Sequence, residues 1–325
     1  MYKASSDRYD CGMKYRRCGR SGILLPEISL GLWHNFGSVD PLQKSIDIIH
    51  YAFDHGICHF DLANNYGPVY GSAEETFGRV MKQSLAPYRN ELFISTKAGH
   101  DMWPGPYGEW GSRKYLINSL DDSLRRMNLD YVDIFYSHRY DPVTPLEETM
   151  QTLVDIVRQG KALYVGISKY PAEEARKAYE YLAARDVKCL AYQGRYNIFD
   201  RDVEHSGILH QVREEGVGFT AFSPLAQGLL TDRYLNGIPS DSRIGRGGYL
   251  KESDLTPEIL ERVRTLQGIA EKRGQTLAQM SIAWLLKNHD VTSVVVGASS
   301  VKQLDSNLQA LRNTSFSEEE LKNIG

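Results

Sequence analysis

The sequence predicts an α/β protein, a (β/α)8 TIM barrel with an N-terminal β-hairpin. Short apolar runs alternate with longer amphipathic runs, eight such pairs follow one another, and no long break separates them. Strands that alternate with helices pair in parallel, and eight repeats favour closure into a barrel over an open sheet. We therefore predict a single domain over residues 1–325.

The predicted elements begin with the hairpin, in the stretch around Tyr15 to Leu25. The eight predicted strands then follow at 26–33, 58–66, 91–99, 132–139, 163–168, 189–197, 217–223 and 292–299. Each of these runs is short and apolar, and a helix-like run comes after it. The alternative fold is a Rossmann-like sheet, but no GxGxxG motif follows any of the runs.

Two loops are expected at the barrel mouth. The stretch between Gly228 and Pro257 is rich in glycine, serine and charge, which is typical of a long loop. The stretch GHDMWPGPYGEWGSRK, after the third strand, carries two tryptophans and two prolines and is a candidate lid. Near the end of the chain, Ser315 or Ser317 is expected to cap a final helix.

Composition argues against several classes of partner. The 38 basic and 41 acidic residues are mixed along the chain, so no basic patch predicts a nucleic-acid partner. No stretch reaches the ~18 consecutive apolar residues of a membrane span, and no membrane partner is expected. The four cysteines lack CxxC spacing and are predicted to be reduced thiols of a cytoplasmic protein: Cys11, Cys18, Cys58 and Cys189.

Four polar side chains lie toward the carboxyl ends of three successive predicted strands. In such a barrel the active site is built at the carboxyl ends of the strands, so these groups should face one mouth. The second run ends in the stretch from Asp61 to Tyr66, the third carries Lys97 and the fourth carries His138. Each charged residue alone would be read as a structural ion pair, but four complementary groups favour catalysis.

Carbonyl reduction requires these residue types. A hydride must reach the carbonyl carbon, and an acid must deliver a proton to its oxygen. Tyrosine titrates near ~10, and the Lys97 ammonium is expected to lower the pKa of Tyr66 while Asp61 holds the ammonium. His138 can orient the carbonyl oxygen. A metal-dependent hydrolase is a weaker alternative, because His34, His59 and His138 form no ligand cluster in the sequence.

Six motifs resemble those of the aldo-keto reductases. They are FDLANNYG from Phe60, STKAG from Ser95, YSHR from Tyr136, GIS from Gly166, FSPLAQGLLT from Phe222 and GASSVKQLDSNL from Gly297. The resemblance covers nearly the whole chain. It is greatest for the branch that contains the potassium-channel β-subunits and the bacterial L-glyceraldehyde 3-phosphate reductases, and it implies that Asp61, Tyr66, Lys97 and His138 are the catalytic residues.

The resemblance also implies NADP(H) as the cofactor, bound across the barrel mouth. Ser168 and Gln193 would bond the carboxamide, and Phe222 would stack on the nicotinamide. The remaining cofactor residues that it implies are Trp33, Asp61, Ser223, Leu225, Gln227, Gly228, Arg233, Arg243, Gly297, Ser299, Gln303 and Asn307. No metal is expected. Three positions depart from the pattern of many relatives: Lys169, Asp241 and Ser306.

The implied substrates are small aldehydes, with L-glyceraldehyde 3-phosphate and methylglyoxal as candidates and methylglyoxal detoxification as a wider role. Trp33, Trp103 and Trp110 could line the substrate pocket, and Arg113 or Arg139 could bind a phosphate. The branch also implies a homo-oligomer, a tetramer or larger. The alternative is a cofactor-binding regulatory subunit like those of potassium channels, but these lack the histidine found at position 138.

Overall fold

Eight parallel strands close into a barrel in the computed structural model of the chain, which describes residues 2–240, 242, 244–245 and 250–325. The barrel strands are β3 (Ile28–Gly31), β4 (His59–Asp61), β5 (Phe93–Ala98), β6 (Val132–Ser137), β7 (Ala162–Ser168), β8 (Cys189–Arg195), β9 (Gly218–Phe222) and β10 (Val291–Val296). They pair in chain order, and β10 pairs with β3 to close the ring. The predicted barrel is confirmed.

Helices cover the outside of the barrel. In the described residues the α-helices are α1 (Leu42–Asp54), α2 (Ser72–Val80), α3 (Arg113–Met127), α4 (Leu146–Arg158), α5 (Ala172–Ala183), α6 (Asp202–His205), α7 (Ile208–Glu215), α8 (Pro257–Lys272), α9 (Leu277–Leu286), α10 (Val301–Leu308) and α11 (Glu318–Ile324). A π-turn at Met81–Leu85 extends α2. Within the described ranges, no helix is both long and apolar enough to cross a membrane.

Local sequence explains where these helices begin. Ser112 accepts a hydrogen bond from the backbone of α3, and Thr256 does the same for α8, whose first residue is a proline. Ser317 and Glu320 form a capping box at the start of α11. Of the two serines expected to cap this helix, Ser317 is therefore the one that does.

The N-terminal hairpin lies against the base of the barrel. Its strands β1 (Tyr15–Arg17) and β2 (Leu24–Pro26) pair antiparallel, as predicted. Arg16 donates hydrogen bonds to the carbonyl oxygens of Leu286 and Val291, at 2.6 and 2.9 Å. Because Val291 begins β10 and Leu286 ends the helix before it, the arginine joins the hairpin to the point where the barrel closes.

All four cysteines are free. Cys11 is exposed, whereas Cys18, Cys58 and Cys189 are buried. Burial raises the pKa of each of these three thiols to about 12, so they remain protonated at neutral pH. They act as small apolar side chains in the core.

Candidate active site

A buried ion pair lies at the mouth of the barrel. Lys97, on β5, places its Nζ atom 2.7 Å from Oδ2 of Asp61, at the end of β4. The ammonium also donates to the carbonyl oxygen of Leu62, and the carboxylate accepts from Ser95 and Gln193. Burial alone would raise the pKa of Asp61, but the charges of Lys97 and His59 and the hydrogen bonds from Lys97 and Ser95 together outweigh burial, and the pKa is lowered. The pair is therefore charged and fully hydrogen-bonded, as a buried pair must be.

Tyr66 stands above this pair, on the loop that follows β4. Lys97 Nζ donates a hydrogen bond of 3.5 Å to its hydroxyl oxygen. The next residue, Gly67, has a φ of +89°, and an added Cβ would lie 2.5 Å from Ser72 Oγ. Only glycine suits this turn, which brings Tyr66 back to the mouth. Deeper in the loop, Asn64 donates to the hydroxyl of Tyr115 on α3 at 2.9 Å and fixes the loop in place.

The pKa of Tyr66 differs from the expectation. Burial raises the pKa well above 10.0, and the charge of Asp61 raises it further. The charge of Lys97 alone would lower the pKa of Tyr66. The expectation that this pKa is lowered is therefore wrong for this structure. Tyr66 is consequently a protonated hydroxyl, able to donate a hydrogen bond to a carbonyl oxygen.

His138 follows β6 and faces Tyr66, with 5.9 Å between the two ring centroids. Burial lowers its pKa well below 6.5, and the charges of Lys169, Lys97 and Arg139 lower it further. Its Nδ1 atom is buried without a hydrogen-bond partner among the described residues. The imidazole is therefore neutral. A neutral imidazole can donate one hydrogen bond to a carbonyl oxygen without competing for the proton.

Hydrogen bonds continue beneath Asp61 into the interior of the barrel. Ser95 donates to Asp61 at 2.7 Å, and the ring of His59 contacts Ser95 at 3.1 Å and Ser29 at 2.8 Å. Ser29 contacts Ser293 of β10 at 2.6 Å. All these side chains are buried, and burial lowers the pKa of His59 to about 4. We refer to Asp61, Ser95, His59, Ser29 and Ser293 as the interior chain.

A cleft of about 440 Å³ opens beside Tyr66. The predicted cofactor residues that line it are Trp33, Asp61, Phe222, Ser223, Leu225, Gln227, Gly228, Arg233, Gly297 and Gln303. The loop after β9 has left-handed backbone at Ser223, Ala226 and Gln227, with φ of 54°, 46° and 62°. Such conformations cost on the order of 1 kcal/mol each and are concentrated at functional sites.

The other predicted cofactor residues lie outside the cleft lining. Ser168 ends β7, and its hydroxyl is buried without a described partner. Gln193, on β8, bonds Asp61 at 3.0 Å. Ser299 bonds Gln303 at 2.9 Å, and Asn307 is buried on α10 with its Nδ2 atom unpaired in the described part of the chain. Arg243 and Asp241 lie outside the described residues.

Residues not predicted from the sequence also line the cleft, among them His34, Asn35, Pro224, Thr231 and Tyr234. All lie within two residues of predicted positions in the chain. Proximity to those positions is the signal that could have found them. His100 was also missed as a site residue, although it is a polar residue directly after a predicted strand.

The tryptophans and arginines suggested for the substrate are only partly at the cleft. Trp33 lines it, with its ring 6.2 Å from that of Tyr66. Trp103 instead lines a separate groove beside α3, and Trp110 lies under the guanidinium of Arg139 at 3.6 Å. Arg113 pairs with Asp155 of α4. Among the described residues, no group of three or more His, Cys, Asp and Glu could hold a metal ion.

The family model of the aldo/keto reductases matches residues 27–325. The chain belongs to this family. This aldo/keto reductase is 56% identical to an L-glyceraldehyde 3-phosphate reductase of Escherichia coli O157:H7, over all of its own length and 94% of the relative's. It is 55% identical, with the same coverage, to the reductase of that name from Escherichia coli K12. It is 36% identical to a probable voltage-gated potassium channel subunit beta of Arabidopsis thaliana, covering 92% of this chain and 91% of the relative.

The protein is therefore an oxidoreductase, and its family uses NAD(P)H. Two features of the structure fit such a dinucleotide: buried polar groups without described partners, and open space beside the last strand. The buried hydroxyl of Ser168 and the amide of Asn307 lack described partners, and a buried polar group normally has one. Gly297 lines the cleft with nothing within 4 Å of an added Cβ, which leaves open space beside the last strand.

Proposed function

We propose that this aldo/keto reductase reduces small aldehydes to alcohols with NADPH, and that Tyr66 donates the proton. The first candidate substrate is L-glyceraldehyde 3-phosphate, for which the Escherichia coli relatives are named, and methylglyoxal is the second. The proposal rests on the 3.5 Å contact between the Lys97 ammonium and the Tyr66 hydroxyl at the edge of the cleft.

The proposed roles follow from the geometry. The bound dinucleotide supplies the hydride to the carbonyl carbon. The Tyr66 hydroxyl and the neutral His138 ring hold the carbonyl oxygen by hydrogen bonds. As negative charge develops on that oxygen, Tyr66 transfers its proton, and the Lys97 ammonium stabilises the phenolate that remains. Asp61 keeps the ammonium in position throughout.

NADPH is proposed over NADH on the basis of charge. The additional phosphate of NADPH needs a cation, and Arg233 lines the cleft. Gly297, Ser299, Gln303 and Asn307 lie on or beside α10 and are proposed to contact the adenosine half. The homo-oligomeric state, the cytoplasmic location and the single-domain organisation remain predictions.

The proposal is tested by NADPH oxidation at 340 nm with each aldehyde, in the unmodified protein and in Tyr66→Phe. We expect kcat to fall by about 10²- to 10⁴-fold in the variant, as for loss of a general acid, with the Kd for NADPH unchanged. Tyr164→Phe is the matched control, because Tyr164 lies in the first half of β7, far from the mouth, and should keep full activity.

The alternative function is a cofactor-binding regulatory subunit, favoured by the 36% identity to the plant channel subunit. Tight NADPH binding by the unmodified protein without turnover of either aldehyde would support that function instead. Turnover that survives in Tyr66→Phe would keep the reductase but remove Tyr66 from its proposed role.

A further inference from the structure

A second group of basic side chains lies at the mouth, next to His138. The ring of His100, just after β5, meets that of His138 edge-on with 4.5 Å between centroids. Lys169, just after β7, places its Nζ atom 2.8 Å from Nε2 of His100. The same ammonium lies 5.9 Å from the centroid of the Phe222 ring, which lines the cleft. Lys169 and His100 thus border the space between Phe222 and the Tyr66–His138 pair.

The positive charge of this pair is carried by Lys169, because His100, whose pKa is lowered to about 4, is neutral at pH 7. No ion pair joins Lys169 to a carboxylate in the described ranges of the chain, and its charged neighbours are Lys97, Arg139 and Arg195. Asp101, a carboxylate whose charge acts on His100, accepts a hydrogen bond from Tyr70 at 2.7 Å. Although Lys169 reaches solvent at the mouth, the surrounding protein and these cations lower its pKa to about 8. An anion bound there would stabilise the ammonium and raise its pKa back toward the usual value.

The backbone at Lys169 is also strained. Its φ is +57°, a left-handed conformation that costs a residue with a Cβ about 1–2 kcal/mol. Its amide donates to the carbonyl oxygen of Gln193 on β8, which holds this conformation in place. Strain of this kind persists where the surroundings enforce it, most often at ligand sites. Here it directs a lysine side chain across the mouth toward β5.

The two arginines considered as phosphate ligands from the sequence already bond other groups. Arg139 donates to Gly99 at 2.8 Å and to Glu109 at 2.7 Å. Arg113 pairs with Asp155 on the outer helices. Lys169 and His100 are therefore the basic groups that adjoin the proposed carbonyl site and have no carboxylate partner among the described residues.

We infer that Lys169 and His100 form a binding site for the phosphate group of a phosphorylated aldehyde substrate. The inference rests on the proposed reductase function. In a phosphorylated triose, two carbons and an ester oxygen separate the carbonyl carbon from the phosphorus, so a carbonyl held by Tyr66 and His138 brings the phosphate to the neighbouring ring of His100. A phosphate there would favour the protonated form of His100, which then becomes a second donor beside the ammonium.

The test compares two substrates that differ only in the phosphate, L-glyceraldehyde 3-phosphate and L-glyceraldehyde, at saturating NADPH. We expect Lys169→Gln to raise KM for the phosphorylated aldehyde by about 10- to 100-fold, the usual effect of losing a charge-assisted hydrogen bond. KM for L-glyceraldehyde and both kcat values should stay within about twofold. Lys169→Arg should keep most of the preference for the phosphorylated aldehyde, and His100→Gln should lose part of that preference. Lys177→Gln, at an exposed lysine on α5, is the control for net charge.

A binding measurement keeps this inference separable from the proposed function. Calorimetry of the NADPH-loaded protein with sn-glycerol 3-phosphate, at constant ionic strength, should show saturable binding that Lys169→Gln weakens about tenfold or more. Three results would each overturn the inference. They are an equal rise in KM for both aldehydes in Lys169→Gln, an effect of this variant on NADPH affinity alone, and no binding of glycerol 3-phosphate. Absence of turnover with both aldehydes, with glycerol 3-phosphate still bound through Lys169, would overturn the reductase function alone.

Discussion

At the scale of single residues, Lys169 has a charge that its surroundings disfavour. The surrounding protein, which removes part of the water from the ammonium, and the charges of Lys97, Arg139 and Arg195 lower its pKa from 10.5 to about 8. The free protein thus holds a lysine that begins to lose its proton just above neutral pH. Its positive charge is available to an anionic ligand at pH 7 and decreases as the pH rises through 8.

This pKa predicts a pH dependence of substrate preference. The ratio of KM for L-glyceraldehyde 3-phosphate to KM for L-glyceraldehyde should rise above about pH 8, by up to about tenfold per pH unit, as the Lys169 ammonium loses its proton. Any effect of Tyr66 or Lys97 that is the same for both aldehydes cancels in this ratio. Steady-state kinetics between pH 6.5 and 9.5 measure it. The ratio should stay flat in Lys169→Arg, whose guanidinium does not titrate there, and a rise in that variant would argue against Lys169 as the cause.

The sequence predicted which side chains meet at the mouth but not their full environment. Asp61, Lys97 and His138 follow successive strands, so barrel topology alone brings them together. The pKa of Tyr66 depends on burial, which no spacing in the sequence reports. The contact of Lys169 with His100 likewise depends on a left-handed backbone at residue 169, a conformation that a lysine does not signal.

At the scale of elements, strand ends were the least predictable feature. The apolar run 58–66 was predicted as one strand, but β4 ends at Asp61. Leu62 and Ala63 are fully buried, so the apolar pattern continues after the chain has left the sheet. The amide of Leu62 still bonds the carbonyl of Ser95 at 2.9 Å. A buried loop that continues the bonding of a strand cannot be separated from that strand by periodicity.

The hairpin β1–β2 is expected to contribute stability without contributing to catalysis. Arg16 bonds the carbonyls of Leu286 and Val291 and pairs with Glu27 at 2.8 Å. Arg16→Ala should lower the free energy of unfolding by about 2 kcal/mol or more, measured by urea denaturation, while kcat of the folded protein is unchanged. Arg17→Ala is the matched control, since the side chain of this exposed arginine bonds only Ser21 among the described residues, and a loss of about 0.5 kcal/mol or less is expected. A similar loss in both variants would show that Arg16 has no special role.

At the scale of the whole molecule, the buried His59 and His138 and the half-buried His100 make the fold sensitive to acid. Burial lowers the pKa of His59 and of His100 to about 4, and that of His138 well below 6.5. The unfolded chain takes up these protons near pH 6.5, whereas the folded protein resists them until near pH 4. Folding therefore becomes less favourable as the pH falls through this interval.

We accordingly expect the free energy of unfolding to decrease from pH 7 to pH 4.5, by on the order of 1 kcal/mol per pH unit for each fully buried histidine. Urea denaturation at several pH values measures the slope. His59→Gln should flatten it, because glutamine has no proton to take up, whereas His210→Gln, at an exposed position on α7, should leave it unchanged. An unchanged slope in His59→Gln would mean that carboxylates dominate the acid response.

The interior chain connects Asp61, proposed as a catalytic residue, to the closure of the barrel. Its members come from β10, β3, β4 and β5, so it crosses the seam where the last strand meets the first. The bond between Ser293 and Ser29 spans that seam, and His59 and Ser95 continue the contacts to Asp61. A barrel that parts along this seam also loses the support beneath the carboxylate that holds Lys97. Enzymatic activity should therefore report whether the barrel is closed. We expect activity to be lost when the barrel first opens along this seam, before helical structure is completely lost.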